Sequence, residues 1–184
     1  MNEEVCVASK RVYEGRILGL RVDEVLLPNG RQTTREVLEH PGAVAIVPVK
    51  GDGRVVLVRQ YRYAVGEALL EIPAGTLGPG EDPLDAARRE LQEETGYKAK
   101  RFDLLVGFYP SPGVSTEYLW VYLARELTSS EACAEEDELI EIETRHLDET
   151  PALIACQEIQ DSKSIIGLML AKDRLSRAAF DDGS

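Results

Sequence analysis

Between Arg11 and Glu39 apolar and polar positions alternate in the runs RILGLRVDEVLL and RQTTREVLE, which flank Pro28-Asn29-Gly30. Period-two alternation around a turn signal of this type predicts an antiparallel hairpin. The next two runs, AVAIVPVK and RVVLVRQYRY, are joined by Gly51-Asp52-Gly53 and are almost continuously apolar. Such runs predict core strands buried on both faces; paired surface arginines on an edge strand are the alternative reading of Arg59 and Arg62, preferred for Arg59 only. LLEIP, FDLLVGFY, EYLWVYLARE and ELIEIETR read as further strands, with SPGVST as a loop between FDLLVGFY and EYLWVYLARE.

The period then changes. TPALIACQEI and SKSIIGLMLAKDRL carry apolar residues at helical spacing, with Asp148 or Thr150 and Asp161 or Ser162 as possible caps. A shorter helix is predicted from Pro83 to Thr95. Asp82 supplies the N-cap, Pro83 the first turn and Gly96 the left-handed stop. Strands mixed with a central helix and a C-terminal helix pair indicate an α/β fold with helices packed on a mixed sheet. Only the last residues, FDDGS, read as frayed.

Composition narrows the function. A chain of 184 residues suits one domain, with or without a small accessory sheet. A formal net charge of -12 argues against a general nucleic-acid binder. No apolar run approaches the roughly 20 residues of a membrane span, and MNEEVCVASK lacks a signal-peptide core, so a cytoplasmic location is expected. Cys6, Cys133 and Cys156 show neither disulfide nor zinc spacing and are read as reduced thiols. His40 and His146 are too isolated to suggest a triad.

The candidate chemistry lies on the short helix. Glu90, Glu93 and Glu94 are three and four positions apart, so their carboxylates project from one face beside the apolar stripe of Leu84, Ala87 and Leu91. Like charges at that spacing repel, and a divalent cation removes the repulsion. Mg2+ or Mn2+ takes oxygen ligands and leaves positions for water and phosphate, which suits a phosphate-processing site.

Gly75, Glu81, Arg89, Glu90, Leu91, Glu93, Glu94, Gly96 and Tyr97 stand in one frame that resembles the Nudix box, G-x5-E-x7-R-E-U-x-E-E-x-G-U with U apolar. Tyr97 is an uncommon choice at its position. The resemblance implies an α/β/α sandwich with a mixed sheet over about residues 42 to 175, plus an N-terminal antiparallel β-sheet extension. The division expected is 1 to 41 as the extension and 42 to 184 as the hydrolase domain. An isolated hairpin is marginal in water, so the extension is expected to pack across a partner in a homodimer.

REVLEHPGAVAIVP, VRQYRY, LLEIPAG, SPG and DSKSIIGL are similar to the ADP-ribose pyrophosphatase branch, as is Pro112, fifteen residues after Tyr97. This likeness implies metal-dependent hydrolysis of ADP-ribose to AMP and ribose 5-phosphate. A different nucleotide sugar, such as GDP-mannose, is the alternative substrate, and a non-catalytic ADP-ribose-binding regulatory module the alternative class. It also implies Glu90, Glu94 and the backbone carbonyl of Ala74 as metal ligands, with Glu93 binding metal or orienting water. Glu136 is then a candidate base and Glu138 metal-linked, the assignment between them open. Arg35, Arg62, Glu71 and Pro112 are implied substrate contacts. Gly75, Glu81, Arg89 and Gly96 are implied structural members, Arg89 holding the helix carboxylates. Arg59 is read as a paired surface arginine, while Tyr13, Tyr61 and Tyr109 carry no assigned role.

Overall fold

The computed structural model describes residues 3–130 and 139–181 and comprises two compact units. The first holds the chain up to Gly42 together with Tyr109–Tyr118. Its sheet has three antiparallel strands in the order β1-β2-β3, namely β1 (Val5–Glu14), β2 (Gly19–Leu26) and β3 (Gln32–Glu39). The expected hairpin is therefore the second half of a three-stranded meander. β1 starts six residues before Arg11, the limit drawn from the alternating pattern, and is exposed along its whole length. With no buried face, hydrophobic periodicity gives it no signal.

The Pro28-Asn29-Gly30 turn forms as its residues dictate. Gly30 has a left-handed backbone (φ 80°), and Asn29 Oδ1 accepts from Arg31 N at 3.0 Å. Polar contacts hold the sheet together where apolar area is scarce. Asp23, nearly buried, accepts from Ser9 Oγ at 2.5 Å and pairs with Arg21, while Glu39 accepts from Arg11 Nη2 at 2.7 Å. Residues 109–118 add to this unit through Leu38 N to Val114 O (2.8 Å) and Thr116 N to Leu38 O (3.0 Å).

The second unit, Ala43–Phe108 and Leu119 onwards, is a sandwich about a mixed sheet. Its order is β7-β4-β9-β8, with β4 (Ala43–Pro48) parallel to β9 (Leu119–Ser129). β7 (Ala74–Thr76) and β8 (Tyr97–Phe108) run antiparallel to their neighbours. Every residue of β4 is buried, as its apolar run predicts. Alternate side chains serve two cores. Ala43, Ala45 and Val47 join Leu168 and Ala171 of α3 (Ser162–Asp181), and Val44 and Ile46 join Ala87 and Leu91 of α1 (Pro83–Thr95).

A second antiparallel sheet, β10-β5-β6, contains β5 (Arg54–Arg62), β6 (Glu67–Glu71) and β10 (Ile140–His146). β5 is thus its central strand, not an edge, because β10 returns from far along the chain to pair with it from Arg54 to Gln60. The first C-terminal helix is shorter than its apolar spacing suggests. α2 spans only Thr150–Ala155, and Gln157 adopts a left-handed φ of 62° just beyond it. α3 begins at the Asp161 cap, whose Oδ1 accepts from Ser164 N at 3.0 Å. At Gly167 a side chain would meet Ile72, Val121 and Val47 at 3.0 to 3.1 Å, so glycine permits α3 to lie directly on the sheet. The two histidines act locally: His40 Nδ1 accepts from Gly42 N at 3.0 Å, and His146 Nδ1 from Asp148 N at 3.3 Å.

Candidate active site

α1 forms where the capping signals put it. Asp82 accepts from Leu84 N at 2.9 Å, Pro83 occupies the first turn, and Gly96 closes the helix with φ 66°. Its apolar stripe buries Ala87 and Leu91 against the mixed sheet, and this fixes the rotation of the carboxylates. Glu90 and Glu94 are then nearly buried, at 9% and 5% exposure, on the side facing β7.

Two backbone features of β7 receive them. Ala74 N donates to Glu94 Oε2 at 3.0 Å, and a side chain on Gly75 would overlap the Glu90 carboxylate. Glycine at position 75 is a space that Glu90 fills. Glu93 is more exposed and accepts from Arg89 Nη1 at 2.8 Å.

Arg89 gathers three carboxylates. Nε and Nη2 donate to the two oxygens of Glu81 at 3.0 and 3.1 Å, and Nη1 to Glu90 at 2.7 Å as well as to Glu93. Hydrogen bonds to Glu81 are the main reason the guanidinium is pushed above its ordinary value, against the opposing effect of burial. Glu81 is held below its ordinary value by Arg89 and by Gly78 N–H, which donates to it at 2.8 Å. The loop carboxylate therefore orders the turn before α1 and orients Arg89.

A second cluster lies at the end of β6. Arg62 forks onto Glu71, Nε to Oε1 at 2.9 Å and Nη2 to Oε2 at 2.7 Å, and Lys163 Nζ bonds the same Oε2. Glu71 is 1% exposed. Burial pushes its carboxyl upward, but Arg62 and Lys163 outweigh this and hold it below the usual range. The Glu71 hydrogen bonds raise Arg62 in turn, and the charge of Glu94 adds to the effect. Arg62 is 37% exposed, and its Nη1 has no hydrogen-bond partner among the described residues. Only Ile72 and Pro73 separate Glu71 from Ala74, so one short stretch of chain links the arginine fork to the helix carboxylates.

The remaining sequence-derived positions divide. Arg35 is on β3 of the first unit, opposite Asp23, and donates to Glu4 at 2.9 and 2.7 Å. Pro112 sits in that unit within a turn closed by Val114 N to Ser111 O at 3.1 Å. Arg59 is held by Glu143 at 2.6 Å and Glu158 at 3.0 Å. Glu136 and Glu138 lie outside the described residues. Lys163 was missed by sequence reasoning. The available signal was a cation in the first turn of a helix, where the macrodipole disfavours it unless acidic groups compensate.

The residue types fit a divalent cation. Two nearly buried carboxylates lie one turn apart and offer hard oxygen donors, that of Glu90 seated in the space a side chain at position 75 would take. Among the described residues, no group of three or more His, Cys, Asp or Glu side chains is arranged to hold a metal ion.

Comparisons with known proteins identify the family. The NUDIX domain model matches residues 39–165, and the model for the nucleoside diphosphate sugar hydrolase N-terminal domain matches residues 4–38. The chain is 40% identical to the methanol dehydrogenase activator of Bacillus methanolicus, over 90% of this chain and 91% of that one. It is also 40% identical to the ADP-ribose pyrophosphatase of Bacillus subtilis, over 88% and 89% of the two chains. A crystal structure of an ADP compounds hydrolase superposes with a TM-score of 0.86 at 22% identity, covering 96% of each chain, and so shares the fold. With the box residues in register on α1 and the family model spanning most of the chain, this protein belongs to the NUDIX domain family.

Proposed function

We propose that the protein hydrolyses the diphosphate of ADP-ribose to AMP and ribose 5-phosphate, using Mg2+ or Mn2+. The observation that carries this reading is the pairing of the Glu90–Glu94 face, seated on Ala74 and Gly75, with the Arg62–Glu71 fork reached through the short connection from β6 to β7. The 40% identity to an ADP-ribose pyrophosphatase supports ADP-ribose as the substrate.

A divalent cation held by Glu90, Glu94 and the Ala74 carbonyl would neutralise diphosphate charge and lower the pKa of a bound water. The protein's own groups do the remainder. Arg89 bridges Glu90 and Glu93 and keeps them oriented. Arg62 offers donors to a phosphate oxygen while Glu71 fixes its plane. Glu93 orients the water or adds a ligand. Arg35 and Pro112 are proposed as further substrate contacts. Either Glu136 or Glu138 takes the proton of the attacking water, the other being metal-linked.

Residues 1 to 41 are proposed as an extension that dimerises two copies, and 42 to 184 as the hydrolase domain. The exposed apolar side chains of β1, Val5, Val7 and Val12, support that arrangement. No described helix is long and apolar enough to cross a membrane, and we propose a cytoplasmic location.

Incubating the protein with ADP-ribose and with GDP-mannose, each with Mg2+ or with EDTA, tests the reading by chromatography of the products. AMP released only with Mg2+ is expected; preference for GDP-mannose would replace the substrate and keep the chemistry. Similarity to a methanol dehydrogenase activator favours a second reading, in which the chain acts on a partner protein. ADP-ribose binding without metal-dependent product would select it.

A further inference from the structure

We infer that Lys163, in the first turn of α3, is a positioning residue that sets the Arg62–Glu71 fork. This rests on the proposed role of Arg62 as a diphosphate contact. Glu71 lies at 1% exposure with both oxygens engaged by Arg62. The fork alone leaves each oxygen with a further lone pair, and Lys163 Nζ takes the one on Oε2.

Lys163 is itself restrained. Asp161 Oδ1 accepts from its ammonium at 2.9 Å and from Ser164 N at 3.0 Å, so the residue that caps α3 also orients the lysine. Ser164 Oγ, fully buried, accepts from Ile72 N at 2.9 Å, next along the chain from Glu71. The close approach of α3 at Gly167 keeps that helix against Ile72. Glu71 is thereby held from a rigid helix on one side and a strand on the other.

A lysine in the first turn of a helix opposes the macrodipole, and Asp161 and Glu71 are the acids that compensate it. Its placement serves the strand segment more than the helix. Without the ammonium, Glu71 loses a charge-assisted bond, and the arginine fork is the remaining restraint on its carboxylate. Arg62, more than a third exposed, is then free to turn with it. The donors left on Nη1 no longer meet a phosphate at a fixed angle, which weakens substrate binding before it touches the chemical step.

The test uses the full chain with Lys163→Met and Lys163→Arg, with Lys163→Gln in reserve should the methionine variant not fold. In EDTA and without substrate, the exchange of the Arg62 Nε–Hε proton is followed by 15N NMR, the signal being assigned by its loss in Arg62→Lys. Exchange is expected to quicken about tenfold in Lys163→Met and to return towards wild type in Lys163→Arg. With ADP-ribose and Mg2+, KM should rise about tenfold while kcat stays within about twofold, again with rescue by arginine. Unchanged exchange in Lys163→Met overturns the inference, as does a fall in kcat at constant KM. Should the wild-type protein leave ADP-ribose intact, the functional reading falls and the exchange measurement still decides the role of Lys163.

Discussion

Arg89 holds Glu81, Glu90 and Glu93, Arg62 holds Glu71, and each pairing makes a prediction. Replacing Arg89 with Gln releases Glu81, Glu90 and Glu93 at once. The expected result is an affinity for Mg2+ weakened about 10- to 100-fold, read from the Mg2+ dependence of turnover, since outer partners of metal ligands have effects of that size. An unchanged Mg2+ dependence would contradict this role. Glu71 links to pH. Its carboxyl is held below the ordinary value in the folded chain, so its stabilising effect is complete above about pH 4.3 and is lost as pH falls through the lower folded value. Glu71→Gln should therefore lower stability at pH 7 by about 1–3 kcal/mol. Its melting temperature should also fall less steeply than that of wild type as the solution is acidified. Parallel curves would argue against the network. The helix carboxylates were legible because three- and four-residue spacing reveals a helical face without tertiary knowledge. Lys163 was not, because its partner Glu71 is brought to it only by the packing of α3 on the sheet.

The seating of α1 on β7 is the element-scale feature on which the site depends. Gly75→Ala places a methyl group where the Glu90 carboxylate lies, so the carboxylate or the strand must shift. Activity should drop by about 100-fold, the cost of a small misplacement at a reacting centre, with the fold retained by circular dichroism. Activity near wild type would mean that Glu90 is not required in that position. At Gly167 the same geometry acts on stability. Gly167→Val should cost about 1–3 kcal/mol by overpacking against Ile72, Val121 and Val47, measurable by urea denaturation. At this scale the sequence was most informative where capping chemistry or double-sided burial was present, as in α1 and β4. It was least informative for β1, whose side chains are all exposed, and for α2, where a helical period outlasts the helix. The central place of β5 was equally hidden, since strand order depends on which distant segment returns to pair.

At the scale of the whole molecule, a chain of net charge -12 handles a polyanionic substrate only if cations are concentrated locally. Arg89 and Lys163 are matched by carboxylates, so Arg62, with donors beyond its Glu71 fork, and the proposed divalent ion would carry that task. The extension is proposed to bring two copies together. Gel filtration with light scattering should give the mass of a dimer at micromolar concentration, and a monomer would remove that part of the account. The most direct test of the central claim is product analysis of ADP-ribose incubated with the full chain, with Mg2+ and with EDTA. AMP and ribose 5-phosphate formed only with Mg2+ are the predicted result; ADP-ribose left intact under both conditions would contradict it.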